Sequence, residues 1–341
     1  MPIDLLALVC SLFVAVLAGP SFAASFDCAK AQSPLEHAIC AKPGLSTADD
    51  TLARAYAMAM AGLSSDAAQK LRASQNAWLS FAARDCTSDG LPAQQPFTDD
   101  EAECLVGVFQ DREHLLEQSR MIGGLRFTFA DGDAAKLDSP PKGDSSQHIG
   151  VASAHFSYPE IDGTDDEALR FNVIASAGRR LDFANHPPDG ADTSEDREVS
   201  LVNATRITMT DTESIFNHGA AHGYLNIFYL HYLRDEHRVL TAADMFSKAG
   251  WQDRLRKLVL SALKVSVGKD LIVDDPEAKA ALRIDSVNPE HWDFRDQGLL
   301  VQFGQGEVAA PVASAVSVII PWALVENDLN PDIGVTIRDG D

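Results

Sequence analysis

The sequence predicts a multi-domain protein of mixed α + α/β class: a small disulfide-stapled helical domain followed by an α+β domain with a mainly antiparallel sheet. Three observations predict it. Four of the five cysteines crowd into residues 28–104, the pattern of a stapled small domain in an oxidising compartment. The segment around them repeats helix-start signals. Beyond it, strand-like and helix-like stretches mix without further cysteines.

The chain opens on an apolar run over residues 5–19, followed by Ser21-Phe22-Ala23. Small residues at both cleavage-determining positions after such a run read as a signal peptide, so 1–23 is set apart from the fold. The run is shorter than the roughly 20 residues a bilayer span requires, and no second stretch approaches that length. No membrane span is expected. Cys10 follows Ala7-Leu8-Val9, a poor lipoprotein cleavage site, so no lipid anchor is expected either. The expected location is periplasmic or secreted. The mature chain of about 320 residues exceeds what one core organises. Its expected parts are a helical domain over 24–122, a linker or long loop over 123–147, and an α+β domain over 148–341.

In the helical part, Ser33-Pro34-Leu35-Glu36 offers a capping serine, a proline at the first helical position and a glutamate at the third. Ser46 with Asp49 is expected to start a second helix, carrying Leu52, Tyr56 and Leu63 on one face. Ser65 or Asp66 starts a third, with Leu71, Trp78 and Ala82, and Thr98 with Glu101 starts a fourth. Cys28, Cys40, Cys86 and Cys104 allow three pairings. Cys28–Cys40 with Cys86–Cys104 is favoured because each closes a short local loop, although the sequence leaves the choice open. Zinc would call for short C-x-x-C pairs, whereas the gaps here are 11, 45 and 17 residues.

In the second part, 149–158 and 198–209 are expected strands, with a helix over 166–183 between them. Leu225 to Tyr232 is apolar on both alternating faces, which suggests a strand inside a covered sheet. Thr241 with Asp244 starts a short helix, and 252–265 is amphipathic. Residues 299–303 and 316–320 are expected to close the sheet, with Pro321 stopping the last strand.

The full chain carries a net charge of −22. Between residues 24 and 123 there are 14 acidic against 8 basic residues, and after that 35 against 20, so both parts are acidic. Such a chain repels nucleic acid and suits a basic protein partner. No G-x-S-x-G, Walker loop, G-x-G-x-x-G or H-E-x-x-H is present, and no catalytic residue, metal or cofactor is expected. His218-Gly219-Ala220-Ala221-His222-Gly223 reads as a tight loop before a strand. The alternative is a metal site of a hydrolase using His218 and His222, with His231 as a distant third ligand. Arg84, His218, His222 and Tyr224 are the partner-binding candidates. Arg84 is expected to pair with a carboxylate such as Glu36 or Asp49, and Trp78, Trp292 and Trp322 read as core.

Phe26-Asp27-Cys28, Glu36-His37-Ala38-Ile39-Cys40, Leu45 with Asp49, Tyr56, Gln75-Asn76-Ala77-Trp78, Arg84-Asp85-Cys86 and Cys104-Leu105 through Arg112 resemble the LprI-type lysozyme-inhibitor family over about 26–118. Gly219 to Gly223, Leu240 to Phe246, and Gly298-Leu299 through Pro321 resemble a domain shared by RsiV-type anti-sigma factors and PdaC-type peptidoglycan deacetylases, over about 150–325. The first resemblance implies lysozyme inhibition and the second lysozyme sensing by binding. Neither the transmembrane and sigma-binding parts of such anti-sigma factors nor the deacetylase catalytic domain is recognised here. The implied protein is a non-enzymatic binder of a basic protein such as a lysozyme, with peptidoglycan as the alternative partner.

Overall fold

The computed structural model describes residues 24–138, 150–178, 190–310, 314–333 and 337. The signal peptide expected over 1–23 lies outside them.

Helix α1 (Pro34–Ala41) starts on the expected capping box: the Ser33 hydroxyl accepts from the Glu36 N–H, and the Glu36 carboxylate accepts from the Ser33 N–H. Helix α2 (Pro43–Met60) begins three residues before the expected cap at Ser46. Proline takes its first turn, where a missing N–H costs nothing. Ser46 and Asp49 are therefore buried inside the helix, and Asp49 accepts from the Ser25 N–H at 2.8 Å. Helix α3 (Ser65–Asp85) is capped by Ser64, and α4 (Asp99–Glu117) by the Thr98/Glu101 capping box. Cys28–Cys40 ties the chain ahead of α1 to that helix, and Cys86–Cys104 ties the end of α3 to α4. Leu45, Leu52, Leu71, Leu105 and Leu116 fill the space between helices, where Trp78 meets Phe109 edge to face at 5.1 Å.

Strand β1 (Met121–Ile122) turns through Gly123-Gly124 into β2 (Leu125–Leu137), which pairs along its length with antiparallel β3 (Val151–Ile161). The linker or long loop expected over 123–147 is corrected accordingly: most of it is sheet, and 139–149 lies outside the described residues. Asp131-Gly132-Asp133 hides the strand in the sequence. The glycine is required because a Cβ there would lie 2.5 Å from the Phe156 ring.

Helix α5 (Asp166–Ser176) links β3 to β4 (Ala191–Val202), which runs parallel to β3 and needs such a crossover. It ends at Ser176, short of the expected 183; residues 179–189 lie outside the described residues. The single strand expected over 198–209 is a hairpin between β4 and β5 (Arg206–Asn217). Asn203 makes the turn by accepting from the N–H groups of Thr205 and Arg206. Strands β6 (Tyr224–Leu233) and β7 (Arg238–Val239) complete a seven-stranded sheet in sequence order, antiparallel except at β3–β4.

Helix α6 (Ala242–Met245) has the expected Thr241/Asp244 box, and α7 (Trp251–Ser266) is the expected amphipathic helix. Helix α8 (Pro276–Ile284) follows, then β8 (Trp292–Arg295), β9 (Gly298–Phe303), β10 (Val316–Pro321) and α9 (Trp322–Val325). Strands β9 and β10 do not close the main sheet as expected; they form a separate three-stranded sheet, β10-β9-β8. All six β9 residues are buried, so the strand needs cover on both faces. Leu255, Val259 and Leu263 of α7 share one core with it and with Leu233 of the main sheet.

Helices α3 and α4 lie on the β2–β3 end of one sheet face, and β8 lies on the β6 end of that face. Phe129 of β2 belongs to the helical core, and His231 of β6 donates to the Trp292 carbonyl at 2.8 Å. Helix α5 packs behind, with Phe171 against Tyr232. Between the two front layers, strands β4 and β5 are left with an open face.

Candidate functional site

That open face is the floor of a groove of about 610 Å³. Strand alternation fixes what it shows. Every second residue points forward, so β4 contributes Asp192, Ser194, Asp196 and Glu198, and β5 contributes Thr210, Thr212 and Ser214. Ser153, His155 and Ser157 of β3 continue the floor. Trp78, Phe81 and Asp85 of α3 form the wall with Val108, Asp111 and His114 of α4.

Arg112 of α4 anchors this wall to the sheet. Its guanidinium donates to Asp131 Oδ2 at 2.7 Å, to Ser74 Oγ at 2.6 Å and to Gln75 Oε1 at 2.9 Å, and it lies against the Trp78 and Phe129 rings. Ser74 also donates to Asp131, so donors and acceptors are matched where both charged side chains are buried.

His155 is held between two carboxylates, with Nδ1 2.6 Å from Asp133 and Nε2 3.0 Å from Asp196. Burial disfavours its charged form, but the two carboxylates outweigh burial and push its pKa up to about 10. Asp85 has the opposite surroundings. Burial first, then the charges of Asp192 and Asp133, push its carboxyl up to about 7 against a weaker pull from Arg84. Burial likewise raises the pKa of Asp111.

Both groups therefore favour the protonated folded form. Asp85 costs stability as pH rises from the ordinary 3.8 to about 7. The His155 contribution is complete below 6.5 and is lost as pH rises through about 10. Asp85→Asn is expected to gain stability over the native protein, by on the order of 2 kcal/mol, between about pH 4 and pH 8. Urea denaturation at the two pH values measures this; an unchanged difference would show that Asp85 ionises freely.

The candidates singled out in the sequence fall at the end of the groove and beyond. His218 follows β5, with Nδ1 2.6 Å from Asp138 and Nε2 3.2 Å from Asp192. Burial opposes its charge, yet these carboxylates raise its pKa. Both ring nitrogens are thus engaged by carboxylates. His222 is exposed, and its Nδ1 lies 3.1 Å from the Gly223 carbonyl. His231 is buried; Thr208 Oγ1 donates to its Nδ1 at 3.0 Å while Nε2 donates to Trp292. Burial and the Arg206 charge lower its pKa to about 3. For the alternative of a metal-dependent hydrolase, the structure shows His218 held by two carboxylates and His222 beside a backbone carbonyl. Among the described residues no cluster of three or more His, Cys, Asp or Glu could hold a metal ion.

The segment from His218 to Gly223 is the expected loop, with Gly219 at φ +82°. Tyr224 opens β6 half-exposed, its ring 6.2 Å from that of His222. Arg84 sits in the last turn of α3 with a buried Nε that lacks a hydrogen-bond partner. The two carboxylates expected to pair with it are engaged elsewhere, Glu36 in its capping box and Asp49 with Ser25. Sequence reasoning missed Asp85, Asp111, His155, Asp192 and Asp196. The available signal was the period-two polar runs Ser153-x-His155-x-Ser157 and Asp192-x-Ser194-x-Asp196-x-Glu198, which by themselves read as a solvent face.

No helix among the described residues is long and apolar enough to cross a membrane. No curated protein matches the chain. Among solved structures, a DUF3298 family member from Bacteroides fragilis is similar at 13% identity and TM-score 0.42, covering 64% of this chain and 99% of that one. A DUF3298 family protein from Pseudomonas aeruginosa is similar at 15% identity and TM-score 0.40, covering 60% and 95%. The disulfide-stapled helical layer, over residues 28–116, matches the family described as Lysozyme inhibitor LprI.

Proposed function

We propose that this chain is an exported binding protein for a basic, lysozyme-type partner, acting without catalysis of its own. The observation that carries the reading is the LprI family match over residues 28–116. Two disulfides favour an oxidising compartment, periplasmic or extracellular, and a net charge of −22 suits a cationic partner. Inhibition would follow from covering the partner's saccharide cleft, because glycoside hydrolysis needs two carboxylates with access to substrate.

The test mixes the mature protein with hen-type lysozyme and follows binding and cell-wall lysis together. Binding is expected at low salt and should weaken by about tenfold or more when salt is raised well above physiological strength. Lysis should fall in proportion to the bound fraction. Absence of binding at low salt overturns the reading, and binding without loss of lysis removes cleft occlusion. Retention on purified peptidoglycan without lysozyme binding would replace it with an envelope-binding role.

A further inference from the structure

We infer that the groove between the helical layer and strands β4 and β5 receives a protruding loop of a basic protein, with an arginine or lysine side chain at its tip. This deepens the proposed function and rests on it for the partner, though not for the groove's own chemistry.

Three features converge on that occupant. First, Asp85, Asp111, Asp133, Asp192, Asp196 and Glu198 line the groove, against the basic side chains Arg112, His114 and His155. Arg112 is committed to Asp131 outside the lining, His155 to Asp133 and Asp196, and His114 lies 3.1 Å from Glu198. Among the described residues, Asp85 and Asp111 have no ion-pair partner within 4 Å, so an entering cation finds carboxyl groups free to pair with it. Second, the wall is apolar where the floor is acidic. Trp78, Phe81 and Val108 face the groove from α3 and α4, which suits a side chain with an aliphatic stem and a charged head. Third, Thr210, Thr212 and Ser214 stand at two-residue spacing along β5. They offer hydroxyls to the backbone of an extended loop, which a lone small cation would not use.

The volume also fits. At about 610 Å³ the groove holds several side chains of a loop but not a folded domain, so the partner must insert a projection. Anionic ligands such as nucleic acid or phosphate are repelled by the same carboxylates.

The test uses the mature full-length protein and the double variant Asp111→Asn/Glu198→Gln, which keeps side-chain shape while removing two groove charges. Asp235→Asn/Glu236→Gln, at the exposed β6–β7 turn, removes the same charge elsewhere. Far-ultraviolet circular dichroism and melting confirm that each variant folds. The probes are hen-type lysozyme and a synthetic deca-arginine peptide, titrated at one fixed low ionic strength. The groove variant is expected to bind each probe at least about tenfold more weakly than the native protein, and the turn variant within about twofold. If the groove variant binds both probes as tightly as the turn variant, the groove is not the docking site, while lysozyme binding by the native protein still supports the proposed function. If lysozyme fails to bind and the peptide binds in a groove-dependent way, the lysozyme reading falls and the groove inference stands. Failure of both probes to bind the native protein overturns the inference outright.

Discussion

Replacing Arg112 by methionine is expected to destabilise the protein by about 3–5 kcal/mol, because it leaves the Asp131 carboxylate buried without its cation. The side chains of both partners are almost fully shielded from water, at 1% and 3% relative exposure. Ser74 and Gln75 lose the arginine as a donor in the same step, although Ser74 still donates to Asp131. Asp131→Asn alone should cost a comparable amount, since the guanidinium is then the uncompensated charge. The double variant Arg112→Met/Asp131→Asn should recover part of the loss, because a neutral, well-packed pair avoids the desolvation of two ions. Urea denaturation of the four proteins measures the coupling. A loss below about 1 kcal/mol in Arg112→Met would mean that water reaches the pair and the helical layer is only loosely seated.

Removing both disulfides, as Cys28→Ser/Cys40→Ser/Cys86→Ser/Cys104→Ser, should cost about 3 kcal/mol for each bridge on loop-entropy grounds. The two loops span 12 and 18 residues. Four short helices packed around a modest core have little other reserve. The melting transition should fall by several degrees at least, and under reducing conditions the native protein should behave like the variant. The staples also act at different places. Cys86–Cys104 holds the ends of α3 and α4, which carry the groove wall, whereas Cys28–Cys40 holds the chain ahead of α1. Loss of the first bridge should therefore weaken partner binding more than loss of the second. Equal effects would indicate that the wall keeps its place through packing alone.

Much of the fold was legible because local chemistry declares itself. Ser33/Glu36 and Thr98/Glu101 mark helix starts by the hydrogen bonds they make, and the cysteines pair across the shortest loops. What failed were positions where tertiary contact decides. Strand β2 was obscured by Asp131-Gly132-Asp133, whose polar residues are inside because Arg112 and His155 meet them there. The hairpin at Asn203 was read through because Val199, Leu201 and Val202 continue the apolar character up to the turn. The groove was illegible for a further reason. Its carboxylates come from α3, α4, β2 and β4, so no window of sequence contains them together, and each run alone looks like ordinary solvated surface. The histidine-rich loop drew attention that the structure redistributes. His218 is fastened by Asp138 and Asp192, and the less conspicuous His155 lies closer to the centre of the site.

The seating of Arg112 on Asp131 also bears on where this chain can be divided. The family match stops at residue 116, yet α4 delivers its buried arginine to a carboxylate fifteen residues beyond that limit, and Phe129 completes the helical core from the same strand. A fragment cut at the end of the match would carry an unanswered guanidinium and an open hydrophobic seat. The inheritable unit recognised by sequence is therefore smaller than the unit that closes physically. Recombination that moved the helical layer onto another partner domain would have to bring β2 along, or supply a carboxylate and an aromatic ring in their places.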